Sequence, residues 1–256
     1  ISACLVGSEM CIRDRAVTGQ VTAGVTSLVG SFQTAANPQI VKTCPGGARS
    51  GFFALVLQTS RLSYFLVLLF ALPMLFCTPF VLQLWLVEPP AYSVPFIRLM
   101  LLFSLVEALA GPLWMGIQAQ GDIRHYQQVL GVVVLLNLPL AWLLLRAGCP
   151  PQAVVALRVA VNVAALGVRL DFFARRTGFS RRRYLRDVLR PAAAVTLLAV
   201  PLPLLVSLAT QGWTQLLATT AVSTLSLALC LPAAGLLPCE RRLLLRTLKK
   251  HFGCHA

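Results

Sequence analysis

Six stretches of this chain, each about 20 residues long, carry almost nothing but apolar side chains. A helix rises 1.5 Å per residue, so each run is about 30 Å long when helical, which is the thickness of the hydrocarbon layer of a bilayer. In lipid every backbone N–H and C=O must find its partner inside the protein, and for runs of this length the helix is the way to do so. The runs fall at about 62–86, 94–118, 126–145, 153–174, 191–209 and 216–237. A seventh segment, about 17–41, has the length of a span but is rich in Thr, Ser and Gly and ends in Asn37-Pro38-Gln39. The expected fold is therefore all-α, a polytopic membrane helix bundle with about seven transmembrane helices.

Composition excludes the alternatives. Charged residues make up 12% of the 256 and hydrophobic ones 57%, whereas a soluble chain is about a quarter charged. No compact water-soluble core can hide so much apolar sequence, and disorder is excluded for the same reason. The net charge of +14 would point to nucleic acid in a soluble protein. Here the basic residues cluster between the apolar runs, as in cytoplasmic loops of membrane proteins, so nucleic acid is not expected as a partner. Alternate connections hold sixteen Lys and Arg, among them Lys42, Arg49 and Arg61 in the first and seven arginines from Arg175 to Arg190, and the others hold one, Arg146. This asymmetry places the C-terminus, with its basic tail at 241–256, on the cytoplasmic side. Segments 45–60 and 179–190 read as interfacial helices. In the second, Tyr184 and Leu185 interrupt a run of arginines suited to anionic lipid headgroups.

Residues 1–15, ISACLVGSEMCIRDR, form neither a signal peptide nor an amphipathic repeat. They resemble the translation of a sequencing-adapter read, so this segment is expected to be foreign to the protein and the true N-terminal part to be missing. Eight cysteines contain no C-x-x-C pair, and His251 with Cys254-His255 falls short of a four-ligand set, so no metal site is expected. Walker A, G-x-S-x-G and H-E-x-x-H patterns are absent, and no carboxylate pair reads as an acid/base dyad; the chain is not expected to be an enzyme.

Charged and amide side chains inside the apolar runs are the candidate functional residues, because each is costly in lipid and needs a partner or a watery cavity. In the run 153–174 Arg158, Asn162 and Arg169 share one helical face, whereas Asp171 falls opposite them and suits Arg175 at i+4. In the run 94–118 Glu107, Gly111, Trp114 and Gln118 share a face, and Arg98 lies about 180° away and near an end, where it can snorkel. The polar segment contributes Thr26, Gly30, Gln33 and Asn37 on one face. Helix packing through small and amide side chains is the competing reading of that last stripe. Prolines Pro73, Pro79, Pro112, Pro139, Pro201, Pro203 and Pro232 fall within or near the spans and free backbone carbonyls there.

The run from Gly19-Gln20-Val21 through Ser31-Phe32-Gln33-Thr34-Ala35-Ala36-Asn37-Pro38-Gln39-Ile40-Val41-Lys42 closely resembles one family. Thr78-Pro79-Phe80, Leu84-Trp85-Leu86, Gly111-Pro112-Leu113, Gln118-Ala119-Gln120-Gly121, Tyr126-Gln127 and Leu136-Asn137-Leu138-Pro139 follow in order. These residues resemble the polysaccharide (O-antigen type) flippases of the multidrug/oligosaccharidyl-lipid/polysaccharide exporter superfamily, particularly those of Bacteroides-like bacteria. The likeness runs from about 16 to about 209. It implies a two-lobed, MATE-like transporter of which this chain is the second lobe, with the first lobe missing. It further implies movement of an undecaprenyl-diphosphate-linked oligosaccharide across the bacterial inner membrane by alternating access, for O-antigen, capsule or exopolysaccharide synthesis.

Under that implication Arg158 and Arg169 are the expected diphosphate contacts, since the guanidinium fork matches phosphate oxygens. Asn162, Glu107, Arg98, Gln33 and Asn37 are further cavity candidates. No cofactor is expected beyond a coupling ion, H+ or Na+. A multidrug or cation exporter of the same fold would favour the buried carboxylate Glu107. A non-transporting membrane component of a polysaccharide-synthesis complex would leave the arginine stripe unexplained.

Overall fold

The computed structural model describes residues 2–43, 49–86, 92–121 and 123–235. Its helices are α1 (Ser2–Thr43), α2 (Arg49–Trp85), α3 (Ser93–Gln118), α4 (Arg124–Leu135), α5 (Asn137–Arg146), α6 (Pro151–Thr177), α7 (Arg181–Tyr184), α8 (Arg190–Ala199), α9 (Pro201–Ala209) and α10 (Gly212–Cys230). A π-helical turn at Leu185–Leu189 joins α7 to α8, and another, Leu231–Gly235, follows α10. No strand occurs among the described residues.

Six helical segments are long and apolar enough to cross a membrane: Gly51–Trp85, Ser93–Gln118, Arg124–Arg146, Pro151–Thr177, Arg181–Ala209 and Gly212–Cys230. They coincide with the six apolar runs. The seventh, polar segment is helical within α1 but is not apolar enough to be counted with them.

Helix α3 lies at the centre, packed against α1, α2 and α6, while α2 carries α8, α9 and α10 on its other side. Helices α4 and α5 lean chiefly on α6. Their outer surface is apolar and open, with Leu138 74% and Leu135 69% exposed, and Leu197 and Leu208 are likewise open on α8 and α9. Such a surface suits lipid, where dispersion packing and interhelical hydrogen bonds, and not the hydrophobic effect, hold helices together. Close approach is provided at Gly116 of α3, where a Cβ would come within 2.8 Å of the Phe173 ring. Phe173 in turn stacks on Phe52 and meets Phe179 edge-on, tying α2, α3 and α6 together at one end.

Two expectations are corrected. Segment 45–60 is not a separate interfacial helix: residues from 49 onward are the first turns of α2, because nothing between Gly51 and Ser60 breaks a helix and Phe52, Val56 and Leu57 are buried in the core. At 37 residues, or about 56 Å, α2 far exceeds one bilayer crossing. Arg61, counted above with a loop, is therefore a helix residue only 2% exposed, and its guanidinium reaches the carbonyl of Gly235 at 3.5 Å. Segment 179–190 is likewise only half interfacial, since Tyr184 and Val188 are fully buried while Arg182, Leu185 and Arg186 stay exposed. The readings of the side chains of residues 1–15, of the tail 241–256, and of His251, Cys254 and His255 lie outside the described residues.

Prolines break the ladder without ending the helices. Pro73 and Pro79 lie inside α2 and Pro112 inside α3, whereas Pro139 follows the break between α4 and α5 and Pro201 opens α9. Helix α6 ends at Gly178, whose φ of 70° is the left-handed C-cap conformation that glycine adopts without a Cβ penalty.

Candidate functional site

All three residues of the α6 stripe meet one stretch of α3. The guanidinium of Arg158 lies 4.9 Å from the centroid of the Phe103 ring, a cation–π contact. Asn162 is buried and donates its amide to the Phe103 carbonyl at 3.3 Å. Arg169 donates from Nη1 to Oε1 of Glu107 at 3.0 Å. Phe103 and Glu107 are one turn apart, so the helical phase that joins the α6 residues is matched by the phase of α3.

The ion pair is unequally covered. The Arg169 side chain is 13% exposed and that of Glu107 41%. Glu107 also lines a cleft of about 80 Å³ between α1, α2 and α3, whose other polar walls are Thr26, Gln33 and Ser104. Such a volume holds two or three waters at about 30 Å³ each. One face of Glu107 therefore meets Arg169 and another meets the cleft. Tyr126, fully buried and stacked 5.5 Å from Trp114, has both charged groups as electrostatic neighbours. The Tyr126 hydroxyl and Arg169 Nε are both buried without a hydrogen-bond partner among the described residues.

Two of the cavity candidates, Gln33 at the wall of the cleft and Arg98 away from it, each bind a carbonyl that a proline has stripped of its i+4 donor. Gln33 donates Nε2 to the carbonyl of Ala108, the oxygen freed by Pro112, at 3.3 Å. It lies so close over α3 that a Cβ at Gly111 would come within 2.7 Å of its amide carbon. Arg98 donates Nε to the carbonyl of Leu75, the oxygen freed by Pro79, at 3.1 Å. Arg98 is thus remote from Glu107, as its helical phase requires, and bound to backbone. Asn37 is half-buried one turn beyond Gln33 and takes no part in the Glu107–Arg169 pair. Asp171 pairs with Arg175 at 2.7 Å, the expected i+4 contact, and also with Arg181.

Sequence reasoning missed the partners Phe103 and Tyr126 and two further caps. Ser226 donates to the carbonyl of Ala199, freed by Pro203, at 3.4 Å, and Tyr184 donates to Leu109 at 3.0 Å beside the Pro112 break. The signal was half present: each proline fixes which carbonyl is freed, four residues upstream, but not which helix supplies the donor.

The fold and these intramembrane contacts define a multi-pass, all-α membrane protein. Compared with protein-family models, with curated proteins and with solved structures, the chain has no match.

Proposed function

We propose that this chain is the second lobe of a transporter, a flippase that carries an undecaprenyl-diphosphate-linked oligosaccharide across the bacterial inner membrane, with its C-terminus cytoplasmic. The observation that carries the reading is the Glu107–Arg169 pair at the edge of the α1/α2/α3 cleft. A pair that served packing alone gains nothing from a carboxylate open to a cleft, whereas ionisable groups within spans line substrate and ion paths. Beside the cleft α1 turns another face outward, with Gln20, Ser27, Ser31 and Thr34 exposed, which is unsuited to lipid and suits water or a second lobe. The resemblance described above supplies the substrate class.

The chemistry follows from charge balance. While Arg169 and Glu107 are paired, neither charge is free. A proton or Na+ on Glu107 releases Arg169 to hold a phosphate oxygen, so cation and anion occupancy are coupled through one contact. Arg158, about 16 Å away along α6 and held over Phe103, is the second cationic station.

A cation exporter of the same fold is favoured by one observation, that Glu107 and not Arg169 lines the cleft. The two readings separate in cells whose surface polysaccharide depends on the intact gene. Arg169→Ala should strongly reduce surface polysaccharide at unchanged protein abundance, with Arg169→Lys rescuing in part. Parental polysaccharide in Arg169→Ala, with drug resistance lost in Glu107→Gln, would favour the exporter.

A further inference from the structure

We propose that the pocket formed by Ser180, Arg182, Arg183 and Arg186 binds the phosphate headgroup of an anionic membrane lipid. These residues line a shallow surface pocket of about 400 Å³, open to its surroundings and with room for a phosphate and the glycerol attached to it. Two of its guanidiniums are held in place by a carboxylate. Asp187, 6% exposed, accepts Nε of Arg183 at 3.4 Å and Nε of Arg186 at 3.0 Å. Each arginine has five N–H donors, so the Nη groups of both stay available for an anion. Arg182 is exposed and has no carboxylate partner among the described residues. One buried carboxylate thus fixes the spacing of two arginines while leaving the pocket net positive, and that preorganisation lowers the cost of binding.

The segment is rooted, since Tyr184 between these arginines is fully buried and its hydroxyl donates to Leu109 of α3. Position commits the site to lipid and not to an ion from solution. The arginines occupy the first turns of the membrane-crossing segment Arg181–Ala209, and the apolar run that follows them begins at 191, so the pocket stands at the end of the span where hydrocarbon meets the headgroups. Leu185, exposed between the arginines, offers apolar contact on the same surface. The site is independent of the transport reading and requires only that α8 enters a bilayer.

Native mass spectrometry of the full chain in detergent tests it, with dioctanoyl phosphatidic acid, dioctanoyl phosphatidylglycerol, dioctanoyl phosphatidylcholine and inorganic phosphate as separate probes. The two anionic lipids should bind in preference to phosphatidylcholine and inorganic phosphate. Arg182→Gln, at an exposed side chain, should weaken that binding about tenfold or more, and Arg182→Gln with Arg186→Gln further. Arg146→Gln, on the α5 terminus, should leave it unchanged. Equal binding of phosphatidylcholine, unchanged binding in both arginine variants, or inorganic phosphate binding as tightly as the lipids would each overturn the assignment.

Discussion

Gln33 of α1 donates its side-chain amide to the carbonyl of Ala108 in α3, the oxygen that Pro112 leaves without a helical partner. Arg98 stands in the same relation to Leu75 and Pro79, and Ser226 to Ala199 and Pro203. In each case a helix break made by proline is closed by a polar side chain from another helix, so the break itself becomes an interhelical contact.

Gln33→Leu should therefore destabilise the protein by about 0.6 to 1.7 kcal/mol, the range for interhelical hydrogen bonds in membranes. The loss should shrink when Pro112→Ala restores the backbone donor. Unfolding titrations in mixed micelles of the four proteins of that double-mutant cycle check it. Equal losses in both backgrounds would show that Gln33 acts through something other than the freed carbonyl.

Arg98→Gln should lower stability by under about 1 kcal/mol, given its exposure, and leave transport intact. A transport assay at matched abundance decides this, because a loss of transport would return Arg98 to the cavity.

Legibility from sequence followed physical range. Span lengths and helical phase are local, so the six apolar segments, the common face of Arg158, Asn162 and Arg169, and the Asp171–Arg175 pair could all be read from spacing. Gln33 and Arg98 were read as cavity residues because their polarity in a span demanded a partner; Gln33 does line the cleft, and the partner of each is a carbonyl on another helix that spacing does not reveal. Arg61 was assigned to a loop because charge counting cannot see that α2 continues through it. Each of these depends on tertiary placement, which no periodicity encodes.

Gly116→Val should cost about 1 to 3 kcal/mol by overpacking against Phe173. A thermal unfolding series including Gly30→Ala, where a Cβ meets nothing within 4 Å, provides the control. Equal transition temperatures for the two variants would contradict the close packing of α3 on α6.

Single cysteines at Tyr92 and Gln211 should be labelled by an impermeant thiol reagent from outside the cell, and one at Ser180 only after permeabilisation. Ser180 and Gln211 flank the single segment Arg181–Ala209, so they must fall on opposite sides of the bilayer. Labelling of Ser180 in intact cells would invert the orientation read from the arginine asymmetry.

The most direct test of the central claim exchanges the charges of the ion pair, combining Glu107→Arg with Arg169→Glu in the intact protein, and measures surface polysaccharide beside protein abundance. Either single change leaves two like charges together and should reduce abundance, and the exchange should restore it because the contact re-forms. A working site needs its cation at α6 and its carboxylate at the cleft, so polysaccharide should stay low in the exchanged protein. Recovery of polysaccharide to the parental level together with abundance would show that the Glu107–Arg169 pair serves packing alone.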